Sequence, residues 1–408
     1  MKYWLFLALV AGSVNAAQPP TPGLLPTEIV RPLIDRDPEV AAARGTRQVA
    51  QQDALLTRAS PYEWTAKATT QRRRVEPSVR YNEWNVGLER TLRLPQKARA
   101  DRDIAAATLD EGEARYGEAL HETARTLLDL WLNWTEAEQN ALLATSQVKA
   151  ATDNFNAVEK RVKAGDAAKL DAGIARAELG EQQRAASDAK TAANVAWARL
   201  NSRFPDMPRR FSAVPEAVPL DTEPGQLRAR IIDQSDELKI SEALLSKAKA
   251  NTARARADRI PDPTVGVFTA SEVGGRERLT GVMLSIPIPG TIRRGRADRS
   301  VHAAEVSYQE HELKKRELDA IISATLASAN GAYESWQIAE SSAEAMRENS
   351  QLLQRAYTLG EADLQALLTS RRQAATAAQS ALTTKVAAAR AYYSLLVDAH
   401  LVWDMDHD

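Results

Sequence analysis

The chain has 408 residues, and its 53 basic and 54 acidic side chains leave a formal net charge of −1, which gives no overall attraction toward nucleic acid. It contains no cysteine, so a disulfide framework and a thiolate metal site are both excluded. Hydrophobic residues make up 44% and aromatic residues only 5%, and much of the apolar share is alanine. This composition suits close helix–helix contact better than a thick core.

The first 17 residues predict a secretory signal peptide. Lys2 precedes an apolar run from Trp4 to Val14, and a small residue follows at Ala16. The run is too short to stay across a bilayer, and no later window holds the roughly 18 consecutive apolar residues that a spanning helix needs. We therefore expect an exported chain without membrane helices or a lipid-bearing cysteine.

Residues 18–60 predict an extended, proline-rich segment followed by a helix from Asp35 to Ala59. Two segments with alternating side chains come next, at residues 62–70 and 82–92. In the first, Trp64 shares a face with small apolar residues, and in the second Trp84 does the same. A period of two indicates strands, so we expect a strand pair here.

After Pro95 the apolar residues recur every seven positions, which predicts a helix from about 97 to 163. At roughly 1.5 Å per residue, such a helix is about 100 Å long. Gly165 supplies a turn in the left-handed cap conformation, and a return helix to about Arg203 follows. Strand pair and helical hairpin together form a first repeat, residues 61–204.

The second half predicts the same order of elements. A linker at 205–260, with a helix at 224–258, leads to strands at 264–270 and 279–286. A helix from 293 to 358, a turn at Gly360 and a return helix follow. The sequence Arg99–Arg102 recurs word for word as Arg296–Arg299. We interpret residues 261–403 as a second copy of the first repeat, followed by a short tail at 404–408.

Four strands are too few to enclose a lumen, and an isolated sheet would leave open edges. Strands that reach a membrane must therefore close with copies from other subunits. Three chains would supply twelve strands and twelve long helices. Closing the barrel therefore requires an oligomer, although it does not require that the number of chains be three.

The chain resembles the TolC family of outer-membrane efflux proteins. The similarity lies in the strand-to-helix junctions at Trp84–Pro95 and Gly281–Pro287 and in the second turn, Tyr357–Leu364. The resemblance implies a mainly α protein with a minor β part: a homotrimer whose helical hairpins form a periplasmic α-barrel and whose strands form a 12-stranded outer-membrane β-barrel. It also implies contact with outer-membrane lipid, a periplasmic adaptor protein and an inner-membrane efflux pump.

By resemblance, the two helical turns are the periplasmic tips that meet the adaptor. The tip residues that we select for adaptor contact are Arg161, Lys163, Gly165, Asp166, Tyr357, Leu359 and Gly360. Glu361 and Asp363 are candidate gate carboxylates, because symmetry would repeat them as acidic rings that favour cations. The alternative is that acidic residues simply begin helices near the positive dipole end, which would explain Asp166 and Glu361 equally well.

Trp64 and Trp84 are candidates for an aromatic belt at the lipid interface, with a place in a soluble core as the alternative. No catalytic constellation, phosphate-binding loop or zinc-like spacing is present, so we expect neither an enzyme nor a cofactor. The tail could bind a divalent metal through His400, Asp404, Asp406, His407 and Asp408, but a disordered acidic end is the favoured interpretation.

We therefore expect a passive exit duct of a tripartite efflux system. The general pattern resembles the branch of the family that serves heavy-metal cation efflux, but nothing in the residues fixes the cargo. Drugs, metals and secreted polypeptides all stay open. The competing hypothesis is a periplasmic coiled-coil adaptor, although adaptors usually carry one helical hairpin flanked by strand-rich domains.

Overall fold

A computed structural model describes residues 23–76, 78–210, 213–220 and 224–403. The predicted signal peptide and the tail at 404–408 lie outside the described residues. Contacts divide the chain into two compact units, and each unit draws on both halves of the sequence. The sheet unit contains Ile34–Thr126 and Thr222–Ala327, and the tip unit contains Leu127–Asp221, Ser328–Met405 and the segment that precedes Ile34.

The order of elements is the same in both halves, a strand pair followed by one long and one shorter helix. The bounds are α1 Thr27–Asp35, α2 Pro38–Arg58, β1 Trp64–Val75, β2 Val79–Thr91, α3 Pro95–Ala164, α4 Lys169–Arg203, α5 Pro224–Gln234, α6 Asp236–Ala257, β3 Thr264–Glu272, β4 Glu277–Ser285, α7 Thr291–Leu359 and α8 Leu364–Asp398. The long helices have 70 and 69 residues, and each return helix has 35. Among the described residues, no helix is long and apolar enough to cross a membrane.

The strands form one antiparallel sheet in the order β1-β2-β3-β4. Trp64 pairs with Arg90, Trp84 pairs with Ser271, and Ser271 pairs with Arg278. Because paired residues point to the same side, this register separates two faces of the sheet. Within the sheet, the outer edges of β1 and β4 have no neighbouring strand.

A buried lysine ties the sheet to the helices below it. The Nζ atom of Lys97, at the start of α3, lies 3.0 Å from Asp262 and 3.2 Å from Asp258, both between α6 and β3. Asp262 also accepts hydrogen bonds from the Tyr62 hydroxyl at 2.7 Å and from the amide of Leu94 at 3.0 Å. One carboxylate therefore joins the chain before β1, after β2 and before β3.

Arginines extend this junction network to three more elements. Arg93 donates to the Asp101 carboxylate at 2.9 Å and to the carbonyl of Ala59, beyond the end of α2, also at 2.9 Å. Arg254 donates to Asp101 at 2.7 Å, and Arg293 donates to the Asp258 carbonyl at 2.6 Å. The strand-to-helix corners of both halves thus share one set of charges.

The pKa values in the network follow from burial and hydrogen bonding. Burial opposes ionisation of Asp262, but the hydrogen bonds from Tyr62, the Leu94 amide and Lys97 outweigh it and lower the pKa of the carboxyl. Burial, reinforced by the hydrogen bond to Asp262, raises the pKa of Tyr62 to about 12. The phenol is therefore a donor and the carboxylate an acceptor throughout the ordinary pH range.

In the tip unit, the predicted seven-residue seams are confirmed as packed surfaces. Leu127, Trp134 and Val158 are buried on α3, as are Leu368 and Leu382 on α8. A separate cluster seats the segment after α4 against the hairpin of the second half, where Ala217 packs with Trp336 and Ala388. The apolar residues at heptad spacing thus lie on the buried faces of their helices, as the sequence pattern predicted.

Three element bounds differ from the sequence expectations. The helix predicted from Asp35 begins at Pro38 instead, since Asp37 caps it by accepting from the Glu39 amide at 2.8 Å, and a residue before proline avoids helical angles. The predicted helix at 224–258 is broken at Ser235, whose hydroxyl caps α6. The first strand pair continues through the basic run to Val75, because pairing to β2 continues to the hairpin turn.

Asp262→Asn should destabilise the protein by about 2 to 3 kcal/mol at pH 7, because the buried Lys97 ammonium loses its nearer counter-charge and keeps only the half-exposed Asp258. Since the pKa of Asp262 is lowered in the fold, the parent loses this advantage as pH falls below about 4. Denaturant titrations at pH 7 and pH 3.5 measure both effects. Asp188→Asn, which removes an exposed ion pair to Arg184, should cost less than about 0.5 kcal/mol.

Glu118, on α3 in the sheet unit, lies in an environment that disfavours its ionised form. Burial raises the pKa of its carboxyl from 4.5 to about 7, with Arg125 opposing the shift and Glu237 and Asp236 adding to it. Arg125 is 3.9 Å from Glu118, too far for a strong hydrogen bond. The folded state therefore binds this proton more tightly than the unfolded state does.

Glu118→Gln should raise the free energy of unfolding by about 1 to 3 kcal/mol at pH 8. The parent keeps the favourable protonated form below about pH 4.5 and loses that contribution as pH rises to about 7, so the two proteins should be equally stable at pH 4.5. Thermal unfolding at the two pH values measures the difference. Glu122→Gln, one turn away and more exposed, is the matched control and should change little; an equal gain there would contradict the assignment.

Candidate functional site

The two helix turns of the tip unit have the same backbone geometry. After α3, Gly165 has a φ of 86°, and the Asp166 amide donates to the Arg161 carbonyl at 2.8 Å. After α7, Gly360 has a φ of 82°, and the Glu361 amide donates to the Ala356 carbonyl at 2.9 Å. Glycine is needed at both positions because a side chain would strain the left-handed conformation that closes the helix. The predicted turns are confirmed.

A small apolar core holds all four helices together just behind these turns. Leu367 and Leu368 of α8 are almost completely buried against Val158 of α3, Ala175 of α4 and Tyr357 of α7. Half-buried Phe155 and Val162 extend the contact along α3. The two helical hairpins of one chain therefore meet at their ends and do not hang separately.

Arginines connect the hairpins around this core. The Arg371 guanidinium donates to the Ala150 carbonyl of α3 at 3.2 Å and to the Gln354 side chain of α7. Arg372 pairs with Glu178 of α4 at 3.2 Å. Burial lowers the pKa of Arg371, because its two partners are neutral and it keeps little water.

Arg161 and Tyr357, both predicted tip residues, make a direct contact. The guanidinium carbon of Arg161 lies 5.3 Å from the centre of the Tyr357 ring, within the range of a cation–π interaction. This contact joins the last turn of α3 to the last turn of α7. Its position at the very end of both hairpins makes it the outermost link between them.

The remaining predicted tip residues lie at the surface. Lys163 is exposed and pairs with Glu159 on its own helix at 3.3 Å, and Leu359 is 74% exposed. Asp166 and Glu361 are exposed within the turns. Asp363 caps α8, since its carboxylate accepts from the Ala366 amide at 2.7 Å. For Asp363 a structural role as a helix cap is thus present, next to its candidate role in a gate.

The two candidate belt tryptophans lie on the same face of the sheet, separated by six residues along the strands, or about 20 Å. Trp64 is 60% exposed and Trp84 is 47% exposed. Between their levels this face carries exposed apolar side chains, namely Ala66, Ala68, Val86, Leu88, Val267 and Val282. The spacing is close to the roughly 25 Å apolar band of strands that face lipid.

The opposite face of the sheet is polar and linked by ion pairs. Lys67 and Glu89 are 2.6 Å apart, and Arg73 lies 3.2 Å from Glu83 and 3.3 Å from Glu272. Glu83 is almost completely buried and also accepts from the Gln71 amide group at 2.8 Å. One face of the sheet is therefore suited to an apolar environment and the other to water.

Contacts of Arg371, Arg372 and Glu178 were not predicted from the sequence. A signal was present, because Arg371-Arg372 is a charged pair in an otherwise alanine-rich return helix, beside the buried Leu367-Leu368 pair. Heptad reasoning identifies apolar seams but not which charged residues reach across them. Those contacts depend on how the two hairpins lie against each other.

Arg371→Met should loosen the junction of the two hairpins, because it removes two hydrogen bonds from a buried cation while keeping the apolar stem. We expect amide hydrogen exchange at residues 148–158 and 354–371 to become about tenfold faster, measured on the full chain by mass spectrometry. Arg372→Met, which removes a half-exposed ion pair, is the control and should alter exchange much less. Equal effects of the two variants would argue against a special role of Arg371.

Comparison with known proteins shows which family and which folds this chain is similar to. Residues 30–203 match the model of the family described as outer membrane efflux protein, whereas no curated protein matches the chain. The fold is similar to that of the CmeC outer membrane channel of Campylobacter jejuni, with a TM-score of 0.76, 14% identity and coverage of 93% of this chain and 86% of that one.

Two further solved structures are similar over most of their length. The open state of the MtrE outer membrane channel of Neisseria gonorrhoeae gives a TM-score of 0.74 at 16% identity, with 93% of this chain and 90% of that one covered. A membrane protein of Pseudomonas aeruginosa gives 0.78 at 16% identity, with 93% and 91% covered. These matches show that the chain has the fold of outer membrane channels and that residues 30–203 are similar to the outer membrane efflux protein family.

Proposed function

We propose that the chain is one third of a passive duct through which substrates leave the cell across the outer membrane. The observation that supports this most directly is the two-faced sheet: an exposed apolar face bounded by two tryptophans and a polar face joined by ion pairs. Such a sheet fits between lipid and a water-filled lumen. The duct makes and breaks no bond, and the match of residues 30–203 to the outer membrane efflux protein family favours it over the adaptor alternative.

The open edges of β1 and β4 support assembly with sister chains. Their backbone groups need partners at membrane depth, since lipid offers none. In an up-and-down sheet of four strands, β1 and β4 run in opposite directions, so β4 of one chain would pair antiparallel with β1 of the next. Three chains would then close twelve strands, and the exposed apolar residues of α7, such as Ile321 and Ile338, would find partners in the same trimer.

The charges of the polar face support cations as cargo. On the four strands this face carries Glu83, Glu89, Glu272 and Glu277 against only Lys67 and Arg73. Threefold repetition would turn this surplus into acidic rings, which favour cations in a pore. The proposal agrees with the resemblance to the heavy-metal cation branch of the family.

For the tip unit we propose contact with a periplasmic adaptor that links the duct to an inner-membrane pump. Leu359 and Leu170, on the two hairpin ends, are 74% and 71% exposed and could bury against a partner. Arg161, Lys163, Gly165, Asp166, Tyr357 and Gly360 would shape this surface, and Glu361 and Asp363 would line the gate that the tips form.

Cysteine cross-linking tests the assembly, and the chain has no cysteine of its own to interfere. Ala68→Cys on β1 is combined in turn with cysteine at Thr280, Val282 or Leu284 on β4, all on the apolar face. We expect oxidation to give covalent species of up to three chains for at least one pair, and light scattering in detergent to give the mass of a trimer. A detergent-free monomer without cross-links would refute the duct.

Planar-bilayer recordings test the cargo preference. The parent should conduct ions and prefer cations, and Glu272→Gln/Glu277→Gln should reduce this preference because two carboxylates leave the polar face. Lys67→Gln is the matched variant of opposite sign: it frees Glu89 and should increase cation preference. Reversal potentials in a salt gradient measure both. If the two variants shift in the same direction, the polar face does not set selectivity.

A further inference from the structure

The apolar face of the sheet carries only one kind of charged residue, and most of it is at one end. Every charged side chain on this face is an arginine, namely Arg72, Arg74, Arg80, Arg90 and Arg278. Arg90 lies at the helix end of the sheet, 5.5 Å from the Trp64 ring. The other four lie at the hairpin end. Charge on this face is therefore concentrated where the strands turn.

These four arginines lack carboxylate partners within the described part of the chain, where no ion pair involves them. Arg72 donates to the amide oxygen of Asn82 at 3.2 Å, a neutral partner. The strand carboxylates at this end, Glu83, Glu272 and Glu277, lie on the opposite face, and Arg73 pairs with the first two. The cluster therefore keeps its positive charge exposed.

Two of the arginines face each other directly. Arg74 and Arg80 are paired in the register of β1 and β2, next to the hairpin turn. Like charges in directly opposite positions destabilise a strand pair unless something neutralises them. An arrangement that costs stability in the isolated chain, on an otherwise apolar face, indicates a bound anion.

The level of the cluster identifies the source of that anion. Arg278 lies in the same row as Trp84, while Arg72 lies two residues and Arg74 four residues beyond that row. At about 3.3 Å per residue, the cluster spans roughly 0 to 13 Å beyond the tryptophan. Because barrel strands tilt by about 35–45°, 13 Å along the strand is roughly 10 Å along the membrane normal. Polar headgroups occupy about 5 to 8 Å on each side of the hydrocarbon core, so Arg278 and Arg72 lie within this layer and Arg74 and Arg80 lie at its outer edge.

We propose that Arg72, Arg74, Arg80 and Arg278 form a binding site for the phosphate groups of anionic lipid in the leaflet at the hairpin end. The inference rests on the proposed function, since it requires this face to meet lipid. A phosphate between Arg74 and Arg80 accepts paired hydrogen bonds from both guanidinium groups and removes their repulsion. The duct is thereby fixed at a defined depth by charge as well as by its apolar band.

The test uses the full chain, purified as the assembled oligomer in neutral detergent. A diphosphorylated glycolipid, the same lipid without phosphate and inorganic phosphate are each titrated, and bound lipid is counted by native mass spectrometry while thermal unfolding is followed. We expect the diphosphorylated lipid to bind the parent about tenfold more tightly than it binds Arg74→Gln/Arg80→Gln. Arg74→Lys/Arg80→Lys should fall between the two.

Arg73→Gln, which removes one charge from the polar face of the same hairpin, is the control and should be compared with the single variant Arg80→Gln. Only Arg80→Gln should weaken lipid binding. Without lipid, the double glutamine variant should unfold at the same or a higher temperature than the parent, because the repulsion is gone.

Equal affinity of parent and double variant, or equal binding of the lipid without phosphate, would overturn the lipid site. Inorganic phosphate that stabilises the parent as strongly as the lipid, at equal phosphate concentration, would show a free-anion site and also overturn the proposal. Conductance measured in neutral lipid distinguishes a failure of the lipid-site proposal from a failure of the proposed duct. A double variant that conducts normally, with no loss of lipid affinity, would refute the lipid site alone, whereas a monomeric, non-conducting parent would refute the duct.

Discussion

The pairing of Lys97 with Asp262 is the constraint on which the sheet unit depends, because a nearly inaccessible ammonium allows little freedom in where its counter-charge lies. Asp262 also holds the Tyr62 hydroxyl and the Leu94 amide, so the strand ends and the start of α3 are fixed relative to one another. A residue slip in either strand pair would separate these partners and leave a buried charge alone. The network thus selects the register that keeps the two faces of the sheet apart.

That register determines which side chains lie on the apolar face of the sheet and which lie on the polar face. A shift by one residue would move every apolar side chain to the polar face, so the separation of faces cannot be a property of one strand alone. The ion pairs on the polar face, such as Lys67 with Glu89, form only in the same register. The charges at the strand-to-helix corners, the charges across the polar face and the shared face of Trp64 and Trp84 all specify one arrangement. This is the consistency expected of a sequence that specifies one fold.

Local patterns predicted much of this fold, and long-range charges account for what they missed. Gly165 and Gly360 could be assigned as turns because a left-handed residue has a local signature, and the heptads of α3 and α8 because burial repeats with the helix. The break at Ser235 was missed, since a serine reads equally well inside or at the start of a helix. The links of Arg371 were missed because its partner carbonyl, at Ala150, lies 221 positions away in the sequence.

The basic run at Arg72–Arg74 is divided between the two faces of the sheet. From the sequence alone, solvated charges in a loop or at a strand end are the default interpretation, and contact with anionic lipid headgroups is the alternative. Pairing places Arg73 on the polar face with Glu83 and leaves Arg72 and Arg74 on the apolar face without carboxylates. Strand alternation therefore places Arg73 in ion pairs within the sheet and leaves Arg72 and Arg74 without carboxylate partners. Of this run, only Arg72 and Arg74 have charge available for a partner outside the chain.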